Sequence, residues 1–296
     1  MSFDTHEFAA QVRLWGNTLS PRLLEDCQAL YAPYHESEPY AGMCVTRDLA
    51  YGDHERQRLD VFQSDSIAGT RAALVFVHGG GFVGGDKKRP GTPYHDNVAL
   101  WAVRHGMVGV NITYRVAPAA PWPAGAEDIA AALNWLRTNA AEYGIAADRL
   151  WLVGTSAGAV HVASYVASPN LHASGGTPEI AGAIMLSGLY DIETAERNSL
   201  LRAYFGKDTA LYRERSSLYG LIETRLPLMF GFAEHDPADF EAQTLQLVNA
   251  WHQRHRRWPR LVRLMGHNHF TATMHLNTPD EYLGNLILDF MKEETR

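Results

Sequence analysis

Three polar side chains, Ser156, Asp236 and His269, stand at the ends of apolar runs in an order that suits nucleophilic catalysis. Ser156 lies in Gly154-Thr-Ser-Ala-Gly158, after the run Leu150-Trp-Leu-Val and before the helix-like stretch Ala157-Gly-Ala-Val-His-Val-Ala. A serine between glycines at a strand-to-helix turn sits on a strained corner with its hydroxyl clear of the chain, and small neighbours let the backbone turn there. The hydroxyl is a weak nucleophile until a base takes its proton and a third group orients that base. Asp236 ends the run Leu226-Pro-Leu-Met-Phe-Gly-Phe-Ala and His269 ends Arg260-Leu-Val-Arg-Leu-Met-Gly. Serine, acid and histidine therefore follow one another in the order that the strand-turn-helix nucleophile requires.

Neighbouring residues offer alternatives. Glu234 stands on the same run as Asp236 but closer to the strand, Asp191 follows the run 181–188, and His267 lies two positions before His269. Asp236 and His269 are preferred because they fall in the loops, where parallel strands present ligand chemistry. His267 and His269 also form a His-x-His pair of the kind that holds metals. The one further candidate ligand nearby is His275, and the reading adopted is a site without metal or cofactor. His252 and His255 share a basic helix with Arg254, Arg256 and Arg257 and read as a solvated face.

The stretch Val77-His-Gly-Gly-Gly-Phe-Val-Gly-Gly-Asp86 needs a separate account. A phosphate-binding loop is excluded by its letters, since Asp86-Lys87-Lys88 stands where Lys-Ser/Thr is required. Gly79, Gly81 and Gly84 match the spacing of a dinucleotide loop, but Lys87-Lys88-Arg89-Pro90-Gly91 continues as loop instead of opening a helix. The remaining use is donation of backbone N–H groups to an oxyanion, for which a Cβ would obstruct the approach. Gly80, Gly81 and the amide of Ala157, which follows the nucleophile, are assigned this role.

These residues need a scaffold, and from residue 72 the pattern supplies one. Six uninterrupted apolar runs, from Ala72-Ala-Leu-Val-Phe to Arg260-Leu-Val-Arg-Leu, alternate with helix-length segments at about 94–105, 124–141, 157–168, 237–255 and 278–293. Continuous apolar runs mark strands covered on both faces, so an α/β fold with a parallel sheet is expected. Before it, 43–51 and 57–62 alternate apolar and polar residues around Gly52-Asp53-His54, as an antiparallel hairpin does. Residues 5–31 carry helical spacing, with Ser20-Pro21 starting a second short helix. Residues 1–296 are expected to form a single domain in which 1–40 and 189–225 contribute a small helical cap. Phe82, Trp122, Tyr190, Phe205 and Trp15 are candidate walls of an apolar pocket.

A net charge of −7 with no run of like charges argues against nucleic acid or an anionic membrane as partner. No stretch reaches the roughly 18 continuous apolar residues of a membrane helix. The first residues lack the basic and apolar regions of a signal peptide, and Cys27 and Cys44 read as free thiols. A cytoplasmic location is expected, and a homodimer is compatible with the composition.

Taken together, "HGGGF" at 78–82, "YRVAPAAPWPA" at 114–124, "GTSAG" at 154–158, "HDP" at 235–237 and the histidine of "HNHF" resemble the α/β-hydrolase fold, specifically the hormone-sensitive-lipase-like esterases and carboxylesterases. The resemblance implies a mostly parallel sheet of about eight strands. It further implies hydrolysis of small or aromatic carboxylic esters through an acyl-enzyme, no cofactor, and a supporting role for Tyr114-Arg115 beneath the site. Thr155 and Ala159 depart from the family's usual Asp-Ser-Ala-Gly-Gly, and residues 50–62 with the "HNHF" ending look more like the arylformamidases. An arylformamidase is thus the alternative enzyme. A catalytically silent receptor on the same fold is the alternative of another class, disfavoured because all three catalytic candidates are present.

Overall fold

The computed structural model describes residues 3–66, 69–172 and 178–294. Its strands are β1 (Met43–Ala50), β2 (Arg58–Ser64), β3 (Arg71–Val77), β4 (Val108–Ile112), β5 (Ile145–Thr155), β6 (Gly182–Leu186), β7 (Leu228–His235) and β8 (Arg260–Asn268). They form one eight-stranded sheet in the order β1-β2-β4-β3-β5-β6-β7-β8. The hairpin β1-β2 is antiparallel and joins β4 antiparallel, whereas the six strands from β3 onward pair in parallel. That division follows the patterning, since alternating residues built the hairpin and continuous apolar runs built the rest.

The principal helices are α1 (Thr5–Trp15), α2 (Pro21–Tyr31), α3 (Asp96–Arg104), α4 (Ala124–Thr138), α5 (Ala157–Ala167), α6 (Ser199–Phe205), α7 (Tyr212–Arg215), α8 (Leu218–Glu223), α9 (Ala238–His255), α10 (Thr271–Met274) and α11 (Tyr282–Glu294). Successive residues of β3 feed opposite cores: Val75 and Val77 pack with α4, α5, α8 and α9, and Leu74 and Phe76 pack with α3 and α11. Period-two alternation in a strand covered on both faces produces this division. Both faces of the strands that carry the chemistry are therefore anchored.

The first helices start where the sequence signals placed them. Asp4 caps α1 by accepting from the amides of His6 and Glu7, and Ser20 Oγ accepts the Leu23 amide at 3.1 Å to cap α2. Helix α1 then lies along the edge strand β8, with Ala9 against Gly266, and so covers an otherwise open ladder. Helix α2 packs Leu23, Cys27 and Tyr31 against Tyr94 and Met274. In the second expected cap segment, Leu201, Tyr204, Phe205 and Tyr212 close over Phe82, Ala157 and Val160, while α8 returns to the layer beside α5. No helix among the described residues is long and apolar enough to cross a membrane.

Candidate functional site

Ser156 occupies the turn between β5 and α5 with φ +54°, a conformation that L-residues rarely adopt. The corner is held from both sides: the Ser156 amide donates to the Leu186 carbonyl at 2.9 Å, and the Val160 amide donates to the Ser156 carbonyl at 3.2 Å. Gly158 meets the requirement for small neighbours, because a Cβ there would collide with the carbonyl oxygen of Val77. Helix α5 thus passes directly over the end of β3, where the glycine-rich stretch begins.

Asp236 and His269 converge on this serine from loops after β7 and β8. His269 Nε2 lies 2.9 Å from Ser156 Oγ, and His269 Nδ1 lies 2.7 Å from Asp236 Oδ1. The Asp236 carboxylate is buried, and its other oxygen accepts from Ser187 Oγ at 2.6 Å and from the Ala233 amide at 2.8 Å. A carboxylate accepting two further donors is fixed in one rotamer, which fixes the imidazole in turn.

The other candidates are engaged elsewhere. Glu234 accepts the Gly266 amide at 2.7 Å, a bond that holds its carboxyl below the usual range. Asp191 accepts from the amide of Glu193, and His267 faces Asp280 at 3.4 Å. Cys27 is buried, its thiol pushed up to about 11 by desolvation, and Cys44 is exposed.

The glycine-rich stretch passes beside the serine, and a Cβ on Gly79 would stand 3.1 Å from Ser156 Cβ. Gly80 has φ +140°, and any side chain there would strike the Gly84 carbonyl. Among the described residues, no acceptor within the protein takes the amides of Gly80 and Gly81. The Ala157 amide belongs to the first turn of α5, where intrahelical acceptors are lacking. Beneath the stretch, His78 donates from Nδ1 to the Gly79 carbonyl at 2.6 Å and stacks on Tyr114 at 4.4 Å between ring centres. Burial lowers the His78 pKa well below its ordinary value, so the ring is neutral. Tyr114 donates to the His78 carbonyl at 2.7 Å, and Arg115 is fixed by Asp128. The support expected of Tyr114-Arg115 is present as these contacts.

Ser156, His269 and Gly79 to Gly81 line one cavity of about 850 Å³. Its apolar wall comes from Phe82, Leu189, Leu200, Phe240, Phe270 and Met274. Of the five aromatics expected in that wall, Phe82 alone is there, and the other four require correction. Tyr190 is buried edge-on against Phe230, Phe205 packs behind Phe82, Trp122 lies under the Arg215 guanidinium, and Trp15 belongs to the cluster around α1 and α2. Aromatic rings bury large areas wherever a core needs filling, so type alone does not place them on a surface. Phe240 and Phe270, which flank the His269 ring at 4.5 and 5.8 Å, went without a role in the site on the sequence alone. So did Ser187, whose one signal was its place at the end of an apolar run.

A family model described as the alpha/beta hydrolase fold matches residues 74–237. Esterase LipQ of Mycobacterium tuberculosis is 28% identical over 201 residues, covering 65% of this chain and 47% of that protein. Carboxylesterase NlhH of the same organism is 43% identical over 86 residues, covering 29% of this chain and 25% of the relative. The chain thus spans half or less of the length of the curated relatives it matches. Among solved structures, esterase B from Lactobacillus rhamnosis superposes with a TM-score of 0.74 at 18% identity, covering 99% of this chain and 96% of that one. A hyperthermophilic esterase from Pyrobaculum calidifontis gives 0.67 at 20% identity, covering 94% and 98%. With a family model matched across more than half its length and the same architecture in solved relatives, this chain belongs to the alpha/beta hydrolase fold family.

Proposed function

We propose that the protein hydrolyses small carboxylic esters by way of an acyl-enzyme on Ser156. The observation that carries the reading is the unbroken line from Ser156 Oγ through His269 to Asp236, at 2.9 and 2.7 Å, beside the glycine stretch in one cavity. His269 takes the serine proton as Oγ attacks the acyl carbonyl, while Asp236 holds the tautomer with Nδ1 protonated and stabilises the imidazolium. The amides of Gly80, Gly81 and Ala157 receive the developing oxyanion, each donor being worth about 3 kcal/mol of transition-state stabilisation. The imidazolium returns its proton to the departing alkoxide. Water, deprotonated by the same imidazole, then releases the acid. The esterase names of the relatives support this reading.

A fluorophosphonate is expected to label the protein stoichiometrically at Ser156, seen as one mass increment on the peptide containing residue 156. A native protein that refuses the label overturns the proposal and revives a binding role. In the same preparation p-nitrophenyl acetate must turn over faster than N-formylkynurenine. The reverse order would make the enzyme a formamidase.

Arg89 refines the substrate class. The residue lines the cavity, burial lowers its pKa, and among the described residues its buried Nε has no partner. The adjacent Lys87 and Lys88 pair with Asp48 and Glu38, whereas Arg89 faces no carboxylate among the described residues. An ester carrying its own carboxylate would supply one. Arg89→Gln should lower kcat/KM for the half-ester of a dicarboxylic acid by about ten- to hundredfold, the range of one charge-assisted hydrogen bond. The matched neutral diester should be unaffected.

We infer a cytoplasmic location from the two free thiols. The homodimer expectation is checked by sedimentation velocity, which must return twice the 32.9 kDa chain mass.

A further inference from the structure

Away from the catalytic serine, three buried ligand-type side chains meet where the end of β8, which carries His267, faces the segment that follows it, which carries His275 and Asp280. The Nε2 atom of His267 lies 3.4 Å from Asp280 Oδ2, and the ring of His275 stacks on that of His267 with centroids 4.0 Å apart. One ligand atom from each of the three residues falls within 4.8 Å of the other two. His267 and His275 are 3% and 0% exposed, and Asp280 is 9% exposed. The catalytic machinery proposed above uses none of them.

Their protonation and partners suit a metal better than a self-contained hydrogen-bond network. His275 Nδ1 is 2.8 Å from the Thr271 carbonyl, which only accepts, so Nδ1 carries the proton and Nε2 a free lone pair. Among the described residues that buried Nε2 has no partner, nor has Nδ1 of His267. A ring N–H held by a backbone carbonyl is the outer-shell arrangement that aims a histidine at a metal. A neutral, fully buried imidazole with its lone pair at Nε2 is the form that ligates. Asp280 Oδ1 accepts the Tyr282 amide at 3.2 Å, leaving Oδ2 directed at the histidines.

A separation of 3.4 Å is long for a hydrogen bond from an imidazole N–H to a carboxylate. It matches the edge of a tetrahedron whose corners stand about 2.0–2.1 Å from a zinc ion, roughly 3.4 Å. A buried carboxylate beside two stacked imidazoles also wants a nearby positive charge.

We propose that His267, His275 and Asp280 form a binding site for a zinc-class divalent transition-metal ion. Two imidazoles and one carboxylate are a borderline donor set that favours Zn²⁺ and its neighbours over Mg²⁺ or Ca²⁺. A second cavity of about 290 Å³, lined by Tyr31, Met265, His267, Asp280 and Tyr282, opens onto the cluster and gives room for a water as fourth ligand. The ligands follow one another within 14 residues, so little loop entropy is spent in gathering them. The ion would tie the end of β8 to the start of α11, and so brace the loop that carries His269. The sequence pair His267-x-His269 is thereby divided, one ring going to the metal and the other to Ser156.

The test takes the full-length protein stripped by a chelator and titrates it with Co²⁺ and, separately, Zn²⁺. One equivalent of Co²⁺ should give the intense visible bands of a four-coordinate site, Zn²⁺ should displace it, and the thermal midpoint should rise with metal. His275→Gln and Asp280→Asn should each weaken binding by more than about a hundredfold, beyond the loss caused by an outer-shell change. His252→Ala, on the exposed face of α9, should bind as the parent does. If the two ligand variants do not fold, imidazole ¹⁵N shifts of the parent protein decide: His267 and His275 must move on adding Zn²⁺, and His252 must not. Failure to bind one equivalent, binding that survives both ligand substitutions, or unmoved His267 and His275 resonances would each overturn the site.

Discussion

Ser156→Ala should reduce kcat on p-nitrophenyl acetate by roughly 10⁶-fold, with the thermal midpoint little changed. Removal of the hydroxyl leaves an imidazole with nothing to deprotonate and an oxyanion site with no intermediate to bind. What survives is the acceleration from binding and the amide donors alone, roughly 10³–10⁴ over the uncatalysed rate. Ser156 is held by its backbone, through the Leu186 carbonyl and the Val160 amide, so loss of Oγ leaves those bonds in place. The strain of φ +54° is not relieved by alanine, which also bears a Cβ. Stability and activity should therefore separate cleanly. Retention of more than a hundredth of parental kcat by pure Ser156→Ala protein would remove the serine from the chemistry.

Asp236→Asn should cost roughly 10⁴-fold in kcat. The reason lies in the donors on Oδ2. The Ala233 amide can only donate, and Ser187 Oγ donates beside it, so the asparagine carbonyl oxygen must take the Oδ2 position. The asparagine NH₂ then faces His269 Nδ1, which becomes an acceptor and sends the ring proton to Nε2. That nitrogen, 2.9 Å from Ser156, can no longer receive the serine proton. Ser187→Ala removes one of the two donors and should lower kcat far less, because the Ala233 amide still fixes the carboxylate. Glu234→Gln should leave kcat unchanged, since that carboxylate caps the Gly266 amide instead of touching the histidine. Equal losses in Asp236→Asn and Glu234→Gln would mean that the acid has been misassigned.

The alternating pattern of 43–51 and the uninterrupted runs after residue 72 were enough to separate the antiparallel hairpin from the parallel strands. Periodicity is local, so it reads out wherever one face or both faces of a strand are covered. The positions of Ser156, Asp236 and His269 were equally legible, because each falls at the end of an apolar run and parallel strands collect such ends on one edge. The glycine stretch was readable for another reason: several glycines in a row are costly unless backbone must approach something closely.

What lay beyond the sequence were matters of direction. Tyr190, Phe205 and Trp122 have the same composition whether they face a cavity or a core, and only the packing sent Tyr190 against Phe230, Phe205 behind Phe82 and Trp122 under Arg215. Ser187 gained its contact with Asp236 because β6 and β7 are neighbours, a pairing of residues 49 positions apart. The fate of His267-x-His269 was decided the same way, since residues two apart at the end of a strand leave it for different partners once Asp280 and Ser156 are in place. The sequence by itself determined which residue types stand at strand ends, because patterning is written along the chain. Only the tertiary structure decided which of them meet, because contact depends on strand order and helix packing, to which distant parts of the chain contribute together.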